Sequence, residues 1–372
     1  MGIEIKPYSE NFIDKVRSFN LRLKNGGLLF SFPVSNIPEW LPKIENRKIY
    51  QEYFLAIENN SEVRGAYILK HQEFILKDKA VSLADYQLPI SEGTVNKSYS
   101  LIGVQLLTNA LKRQPLLFGL GMGSYKEPLP KMLKAAGWSL FTVPFFFKVC
   151  RPFKFLKNIN FIRKKKIINI FLDLIAITGM GWIIIKLLQL LFEKINLVNR
   201  NISVEIINDF SIWADEVWNV SKGQYHMIAV RDSTVLNILY PKENNSFIRL
   251  KVLQNNKVIG WAIVLDTPMI NHKQFGNMRV GSIVDCLALT GEEFEVIKSA
   301  AGFLEKNGVD IIVSNQFHSF WRKALISNGF LEGPSNFIFA ASRKLTELLY
   351  PLGANKFKFH INRGDGDGPI HL

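Results

Sequence analysis

The sequence carries the same pattern twice, about 200 residues apart. Asp85 in KAVSLADYQLP matches Asp285 in RVGSIVDCLAL, and Gly65 upstream matches Gly260. Three pairs of segments match in the same order: 58–69 with 253–264, 79–89 with 279–289, and 133–138 with 325–330. Three matches in one order favour a duplicated domain over chance. A carboxylate repeated in a repeated apolar strand is also the first lead to a functional site.

Length and composition fit two globular domains. The chain has 372 residues and is 48% hydrophobic, enough for two domains of about 150 residues with their own cores. The only cysteines are Cys150 and Cys286, so no disulfide framework is expected. Residues 1–12 lack the charged and apolar parts of a secretory signal, and we expect a cytoplasmic protein. Four parts are predicted: a first domain 1–150, a linker 151–202, a second domain 203–346 and a tail 347–372.

Hydrophobic periodicity predicts the same elements in both copies: strand, helix, three strands, helix, strand, helix and strand. Segment 80–87 is a nearly continuous apolar strand, as expected where both faces of a sheet are covered. Residues 139–149 and 336–345 are predicted to close the first and second copies. Thr290 and Glu293 predict a capping box at a helix start. The fold class is therefore α/β, with a mixed sheet in each domain.

The segment between the copies is strongly basic. The net charge of the chain is +14, and residues 148–166 contain eight basic residues and no acidic one. Aromatic and aliphatic residues are interleaved with these charges. Such a run suits an anionic lipid surface or a phosphate-rich partner, and the alternative is a solvated linker.

Residues 167–192 form an apolar stretch as long as a membrane span. Asp173 inside the stretch, Gly179 and a polar stripe that includes Gln189 predict two amphipathic helices joined at a glycine instead. We expect these helices to pack against the domains or to lie in a membrane interface, with a span as a further alternative. Region 148–197 is the part expected to touch an anionic inner membrane face.

The order of elements resembles the GNAT acyltransferase fold in both copies, over 1–149 and 203–345. The most similar features are the Gly-aromatic helix ends, KAAGW at 134–138 and ISNGF at 326–330. The chain therefore resembles a tandem GNAT protein. The strings GMGSYKEPLPKMLKAAGW and HINRGDGDGPIHL are also similar to those of paired-GNAT proteins beside bacterial surface-polysaccharide genes. The resemblance implies acyl-CoA or acetyl-CoA as co-substrate and a small-molecule amine, such as one on a sugar or cell-surface precursor, as acceptor.

In that family, a loop before the helix that follows the fourth strand holds the coenzyme A pyrophosphate on backbone N–H groups. The corresponding loop of the first copy matches the family pattern loosely and supplies these candidates: Lys97, Ser98, Tyr99, Ser100 and Gly103. The second copy has LTGEE at 289–293, where two carboxylates would repel an anion. If coenzyme A binds, the first domain is therefore the better candidate, and the alternative for either copy is a degenerate domain kept as a scaffold.

Four side chains are candidates for the chemistry. Burial in an apolar strand would raise the pKa of Asp85 or Asp285 towards that of a usable base, and the alternative is a structural carboxylate. Tyr125, after the glycine-rich segment of the first copy, is a candidate to protonate the leaving thiolate. His318 follows the fifth strand of the second copy and is a candidate acid or base, or a helix cap.

Two other readings of the tandem fold stay open. Ligases that use aminoacyl-tRNA also pair two such domains, and the basic run at 148–166 suits tRNA. A non-catalytic protein that binds a membrane surface is the other alternative. Asp365, Asp367 and His371 in the tail lack the remaining ligands of a calcium loop, so no metal is predicted. No DNA partner is predicted either.

Overall fold

The computed structural model describes residues 2–35, 37–38, 40–160, 163, 166–192, 201–349 and 358–367. The chain divides into two compact units, each built from two pieces of sequence. Unit 1 contains Met1–Thr142 and Asn336–Asn355, and unit 2 contains Val143–Ser335 and Lys356–Leu372.

The elements up to residue 142 belong to unit 1. They are β1 Ile3–Pro7, α1 Ile13–Asn25, β2 Tyr50–Glu58, β3 Glu62–Leu76, β4 Lys79–Ser91, α2 Ile102–Arg113, β5 Leu117–Leu120, α3 Pro128–Ala135 and β6 Ser139–Thr142. Proline at the first position of α3 suits a helix start, because its missing N–H would have no helical partner there.

Unit 2 begins with β7 Phe145–Val149, α4 Pro152–Asn158, α5 Lys166–Ile177, α6 Met180–Phe192, β8 Ile202–Ile207, α7 Ile212–Ser221, β9 Met227–Ala229 and α8 Ser233–Leu239. It continues with β10 Ile248–Gln254, β11 Lys257–Pro268, β12 Arg279–Ala288, α9 Glu293–Lys306, β13 Ile311–Asn315, α10 Ser319–Ser327 and β14 Leu331–Gly333. The chain then adds β15 Ile338–Ala341 and α11 Arg343–Leu349 to unit 1, and β16 Phe359–His360 to unit 2.

The two main sheets have the same strand order. In unit 1 the order is β1-β2-β3-β4-β5-β15-β6, and in unit 2 it is β8-β10-β11-β12-β13-β7-β14. In each sheet the fourth and fifth strands are parallel and their other neighbours are antiparallel. The predicted α/β fold with a mixed sheet in each domain is confirmed.

One strand of each sheet comes from the other half of the chain. β7 follows β6 directly in sequence but pairs with β13 and β14 of unit 2. β15 comes after the first and longer piece of unit 2 and pairs with β5 and β6 of unit 1. The prediction that 139–149 and 336–345 close their own copies was therefore wrong. The boundaries at 150 and 203 were expectations, and the structural units cross them.

Each unit has its own apolar core. In unit 1, α2 and α3 cover one face of the sheet around Leu106 and Leu133, while α1 covers the other around Phe19. In unit 2, α4, α5 and α6 pack beside the β7 end of the sheet. Because the helices cover the faces of the sheets, the ends of the parallel strands are where we expect a binding site.

Two local predictions had opposite outcomes. The two helices predicted in 167–192 are confirmed, because α5 and α6 meet at Gly179, whose φ of +74° suits glycine. The capping box of Thr290 and Glu293 was wrong: α9 has Glu292 at its N-cap, without a side-chain capping bond. None of the helices in the described parts of the chain has both the length and the apolarity needed to cross a bilayer.

Candidate functional site

The parallel strands of unit 1 stay together over only two residues. Ala84 and Asp85 of β4 pair with Leu117 and Phe118 of β5. β4 then continues to Ser91 without further pairing to β5, and its register against β3 shifts where it bulges. A gap therefore begins between β4 and β5 directly after Asp85.

Tyr86 is the first residue of β4 beyond the paired region. Its side chain is 2% exposed and lies among apolar residues of the α2 and α3 face, and burial raises its pKa well above the ordinary value. Within the described residues, its hydroxyl has no hydrogen-bond partner. A buried hydroxyl of this kind is a group that a ligand can satisfy.

The loop before α2 is where the sequence placed the phosphate candidates. Lys97, Ser98 and Ser100 are exposed, and α2 begins without a capping side chain at Leu101. A Cβ atom added at Gly103 would lie 3.6 Å from Met132 Sδ of α3, an ordinary contact. The helix start therefore combines N–H groups that no side chain caps with exposed polar side chains, the combination that suits an anion.

Tyr99 has a structural role in the same loop. Its hydroxyl donates to Glu58 Oε2 at 3.0 Å, and the Arg64 guanidinium lies 4.5 Å from its ring centroid. Arg64 also donates to Glu92 at 3.1 Å, as does Arg22 at 3.1–3.2 Å. These partly buried ion pairs hold the loop in place, and the hydroxyl of Tyr99 takes part in holding it.

Asp85 lies in a row of polar side chains on the α1 side of the sheet. It is 1% exposed, lies opposite Lys70 in the register, and accepts from Gln87 Nε2 at 2.9 Å. Gln87 in turn accepts from Gln51 Nε2 at 2.9 Å. Lys70 is fully buried, with its Nζ 5.2 Å from the ring centroid of Trp40. Lys70, Gln51 and Gln87 were not predicted from the sequence, although the alternate spacing of polar residues in these apolar strands was a signal.

Tyr125 lies in the exposed segment between β5 and α3. Its side chain is exposed, and its hydroxyl is 3.1 Å from the Oγ1 atom of Thr142. Gly121 and Gly123 precede it with φ of +78° and +82°, which bends the chain sharply after β5.

The matching aspartate of unit 2 does not occupy the equivalent place. Counted from the matched glycines of β3 and β11, Asp85 lies opposite the fifth residue, Lys70, whereas Asp285 lies opposite the third, Ile263. Bulges shift the register differently in the two hairpins. The sequence match of the two aspartates is therefore not a structural one.

Asp285 is locked in a buried ion-pair network. Arg231 Nε donates to both of its carboxylate oxygens at 3.0 Å, the Tyr240 hydroxyl donates at 2.7 Å, and Asn362 Nδ2 at 2.8 Å. Arg231 also donates to Asp365 at 2.7 Å. Burial would lower the pKa of Arg231, but the two carboxylates raise it above its ordinary value. With its oxygens occupied by donors, Asp285 fits the structural alternative better than a base.

The gap after β12 is filled by the C-terminal segment. β12 pairs with β13 only as far as Ile283. Beyond that point His360 Nε2 bonds the Cys286 carbonyl at 3.0 Å, and the Phe317 N–H donates to the Ile361 carbonyl at 3.0 Å. His360, Ile361 and Asn362 are completely buried. A segment of the chain thus bridges the two diverging strands of unit 2.

His318 is a helix cap. Its Nδ1 accepts from the Phe320 N–H at 3.4 Å at the start of α10, and its ring packs on Tyr225. Burial lowers the pKa of His318 to about 3, so the ring is neutral near pH 7. These contacts favour the capping role that the sequence left open.

In the described parts of the chain, no group of three or more His, Cys, Asp or Glu side chains is arranged to hold a metal ion. Asp365 accepts from Arg231 in the buried network, Asp367 is exposed, and His371 lies outside the described residues.

Comparison with known proteins supports the fold. No protein-family profile and no curated protein sequence matches the chain. A probable N-acyltransferase of unknown function from Enterococcus faecalis V583 is similar with a TM-score of 0.53 and 12% identity, over 94% of this chain and 74% of that one. N-myristoyltransferase of Saccharomyces cerevisiae with bound myristoyl-CoA gives 0.52 and 9%, over 92% and 79%. A GCN5-related N-acetyltransferase of Anabaena variabilis gives 0.50 and 9%, over 91% and 72%. At these identities the likeness establishes the GNAT fold.

Proposed function

We propose that the protein is an N-acyltransferase that moves an acyl group from acyl-CoA to an amine, with the donor bound in unit 1. The difference between the two gaps carries this assignment. The gap after β12 holds residues 360–362 of the chain itself, whereas no described segment of unit 1 bridges β4 and β5 beyond Asp85. Similar solved structures include an N-myristoyltransferase with bound myristoyl-CoA, which supports the choice of donor.

The donor's phosphates would lie at the start of α2. Lys97 supplies an exposed positive charge, Ser98 and Ser100 supply hydroxyls, and the uncapped helix supplies N–H groups beside Gly103. Tyr99 would hold the loop through Glu58 and Arg64 instead of contacting phosphate itself. The thioester would then extend towards the gap, where Tyr86 offers a buried hydroxyl.

Asp85 and Tyr125 are the proposed base and acid. The acceptor nitrogen attacks the thioester carbonyl, so that a C–N bond forms and the C–S bond breaks. The nitrogen's proton passes to Asp85, directly or through a water molecule, and the thiolate takes a proton from the Tyr125 hydroxyl. Asp85 ends the paired region of β4, and Tyr125 lies in the segment that follows β5.

The proposed acceptor is a small-molecule amine, such as an amino group on a sugar or a cell-surface precursor. The similarity of 121–138 and 360–372 to paired-GNAT proteins near surface-polysaccharide genes supports this class. Acceptors of that class are the first to screen in a coupled assay for coenzyme A release.

Binding of acetyl-CoA and a longer acyl-CoA, measured by thermal shift and calorimetry, tests the proposal. A bound donor should raise the unfolding temperature in proportion to its affinity. Lys97→Glu should weaken donor binding about tenfold or more, because an ionic contact to phosphate becomes a repulsion. Lys112→Glu is the matched control, since Lys112 is exposed at the opposite end of the same helix.

Two results would count against the proposal. If Lys97→Glu and Lys112→Glu weaken acyl-CoA binding equally, the donor does not bind at the start of α2. No binding of any acyl-CoA, together with turnover of aminoacyl-tRNA, would favour the ligase alternative.

A further inference from the structure

Helix α6 turns one of its polar side chains, Gln189, inwards. Gln189 is 2% exposed and donates to the Val149 carbonyl of β7 at 3.2 Å. Gly181, on the same side, lies so close to α4 that an added Cβ would be 2.2 Å from Leu156 Cδ1. The sequence placed Gln189 in a polar stripe, and a soluble helix normally turns such a stripe to solvent. Here Gln189 packs against the protein instead.

The outward side of α6 is apolar as a consequence. Five large side chains on it are 48–77% exposed: Met180, Ile183, Ile184, Leu187 and Leu191. Their spacing of three and four residues puts them on one face. Trp182, also 55% exposed, lies at the edge of this face. We call these six residues the α6 face.

Helix α5 extends the same apolar character. Ile170 and Leu174, one turn apart, are 62% and 55% exposed. The one acidic residue of α5, Asp173, forms an ion pair with Arg163. Two successive helices of one unit thus present uncovered apolar side chains, far more than isolated exposed residues would explain.

The chain segment that carries this apolar surface is predominantly basic, although three of its basic side chains pair with acidic residues of unit 2 outside it. Residues 148–192 contain nine basic residues and one acidic residue, which accounts for more than half of the net charge of +14. Lys157 of α4 is exposed among them. An apolar face bordered by basic side chains is complementary to an anionic bilayer surface, whereas a second copy of the chain would bring the same positive charges together.

We propose that α5 and α6 form a membrane-surface anchor that inserts the α6 face into the headgroup region of an anionic bilayer. The helices have 12 and 13 residues, about 20 Å each, and a hydrocarbon core of about 30 Å is too thick for them to span. They would therefore lie along the surface, with the basic residues near lipid phosphates. This anchor is independent of the acyl-transfer proposal, because its readout is binding to lipid alone.

Sedimentation of the full chain with vesicles tests the anchor. Vesicles of phosphatidylcholine with phosphatidylglycerol should bind the protein, and vesicles of phosphatidylcholine alone should bind it at least about tenfold less, with salt weakening the difference. The double variant Ile183→Ser and Leu187→Ser should bind the anionic vesicles about tenfold or more weakly. The control pair is Val220→Ser and Ile270→Ser, exposed apolar residues of unit 2 outside this surface.

A second readout reports insertion directly. Brominated anionic lipid should quench Trp182 fluorescence, and Trp182→Phe should remove the quenched component. Equal binding to neutral vesicles would overturn the role of charge. Wild-type vesicle binding by the α6-face variant would overturn the anchor. Loss of a concentration-dependent dimer in that variant, without vesicle binding by the wild type, would show that a second copy covers the face.

Discussion

Arg231 Nε lies 3.0 Å from both carboxylate oxygens of Asp285, and both side chains are completely buried. Arg231 also holds Asp365, and Asp285 holds Asn362, so the pair ties the C-terminal segment to β12. Two carboxylates share one guanidinium, and burial raises the pKa of Asp365 above its ordinary value in spite of Arg231. The pair therefore joins β12 and the C-terminal segment in one buried network of charges.

Replacing Asp285 by asparagine should lower the free energy of unfolding by about 3 kcal/mol, because a buried ion pair loses one partner and its charge balance. Urea unfolding monitored by circular dichroism measures the change. Asp209→Asn removes an exposed partner of Lys242 and should leave the free energy nearly unchanged. If the Asp285→Asn protein is as stable as the wild type but has no turnover, Asp285 is catalytic and not structural.

Stability should fall as the pH drops below 6.5, in part through His318. The pKa of His318 is lowered to about 3 by burial, while an unfolded histidine titrates near 6.5. Below pH 6.5 His318 binds a proton in the unfolded chain but stays neutral in the folded chain. The stabilising contribution is therefore present above pH 6.5 and is lost as the pH falls towards 3, by about 2 kcal/mol between pH 7 and 5 for one such group.

The variant His318→Asn isolates this effect. Asparagine keeps an N-cap acceptor for α10 but does not titrate. The free energy of unfolding of the variant should change less between pH 7 and 5 than that of the wild type. His360, whose pKa is also lowered to about 3 by burial, should keep part of the dependence. An unchanged pH profile would show that His318 does not contribute.

The sequence predicted the two sheets because their evidence is local. Strand and helix periods, Asn-Asn turns and Gly-aromatic helix ends are visible within a few residues. Because the same order of elements occurs twice, each copy supports the prediction made for the other. The joint at Gly179 was visible in the same way. Contacts between residues that are far apart in the sequence were not visible there.

The exchange of β7 and β15 between the two sheets shows why long-range contacts could not be predicted. Residues 139–149 look like one apolar strand, and no local pattern tells which sheet a strand will join. Pro144 was the available signal, since proline interrupts a strand run, and the two strands separate there. The ion pair of Arg231 joins partners 54 and 134 residues away, which spacing along the sequence does not reveal.

Asp85→Asn should lower kcat/KM by about 10²–10⁴-fold if Asp85 is the base, with little change in acyl-CoA affinity. Tyr125→Phe should lower kcat by a smaller factor, since water can replace an exposed acid. Steady-state kinetics and donor calorimetry separate the two effects, and retained donor binding shows that each variant is folded. Unchanged turnover in Asp85→Asn would show that catalysis is wrongly assigned to unit 1.

Neither half of the chain should fold when it is cut at the boundary that its sequence indicates. A fragment of residues 1–150 lacks β15, so β5 and β6 lose the strand between them, and β7 lacks its partners in unit 2. Unpaired apolar strands of this kind aggregate. Residues 1–142 joined by a flexible linker to 336–349 restore the order of seven strands from β1 to β6 and should give a soluble, cooperatively unfolding protein. Size-exclusion chromatography and thermal unfolding compare the two fragments, and a well-folded 1–150 fragment would show that the exchanged strand is dispensable.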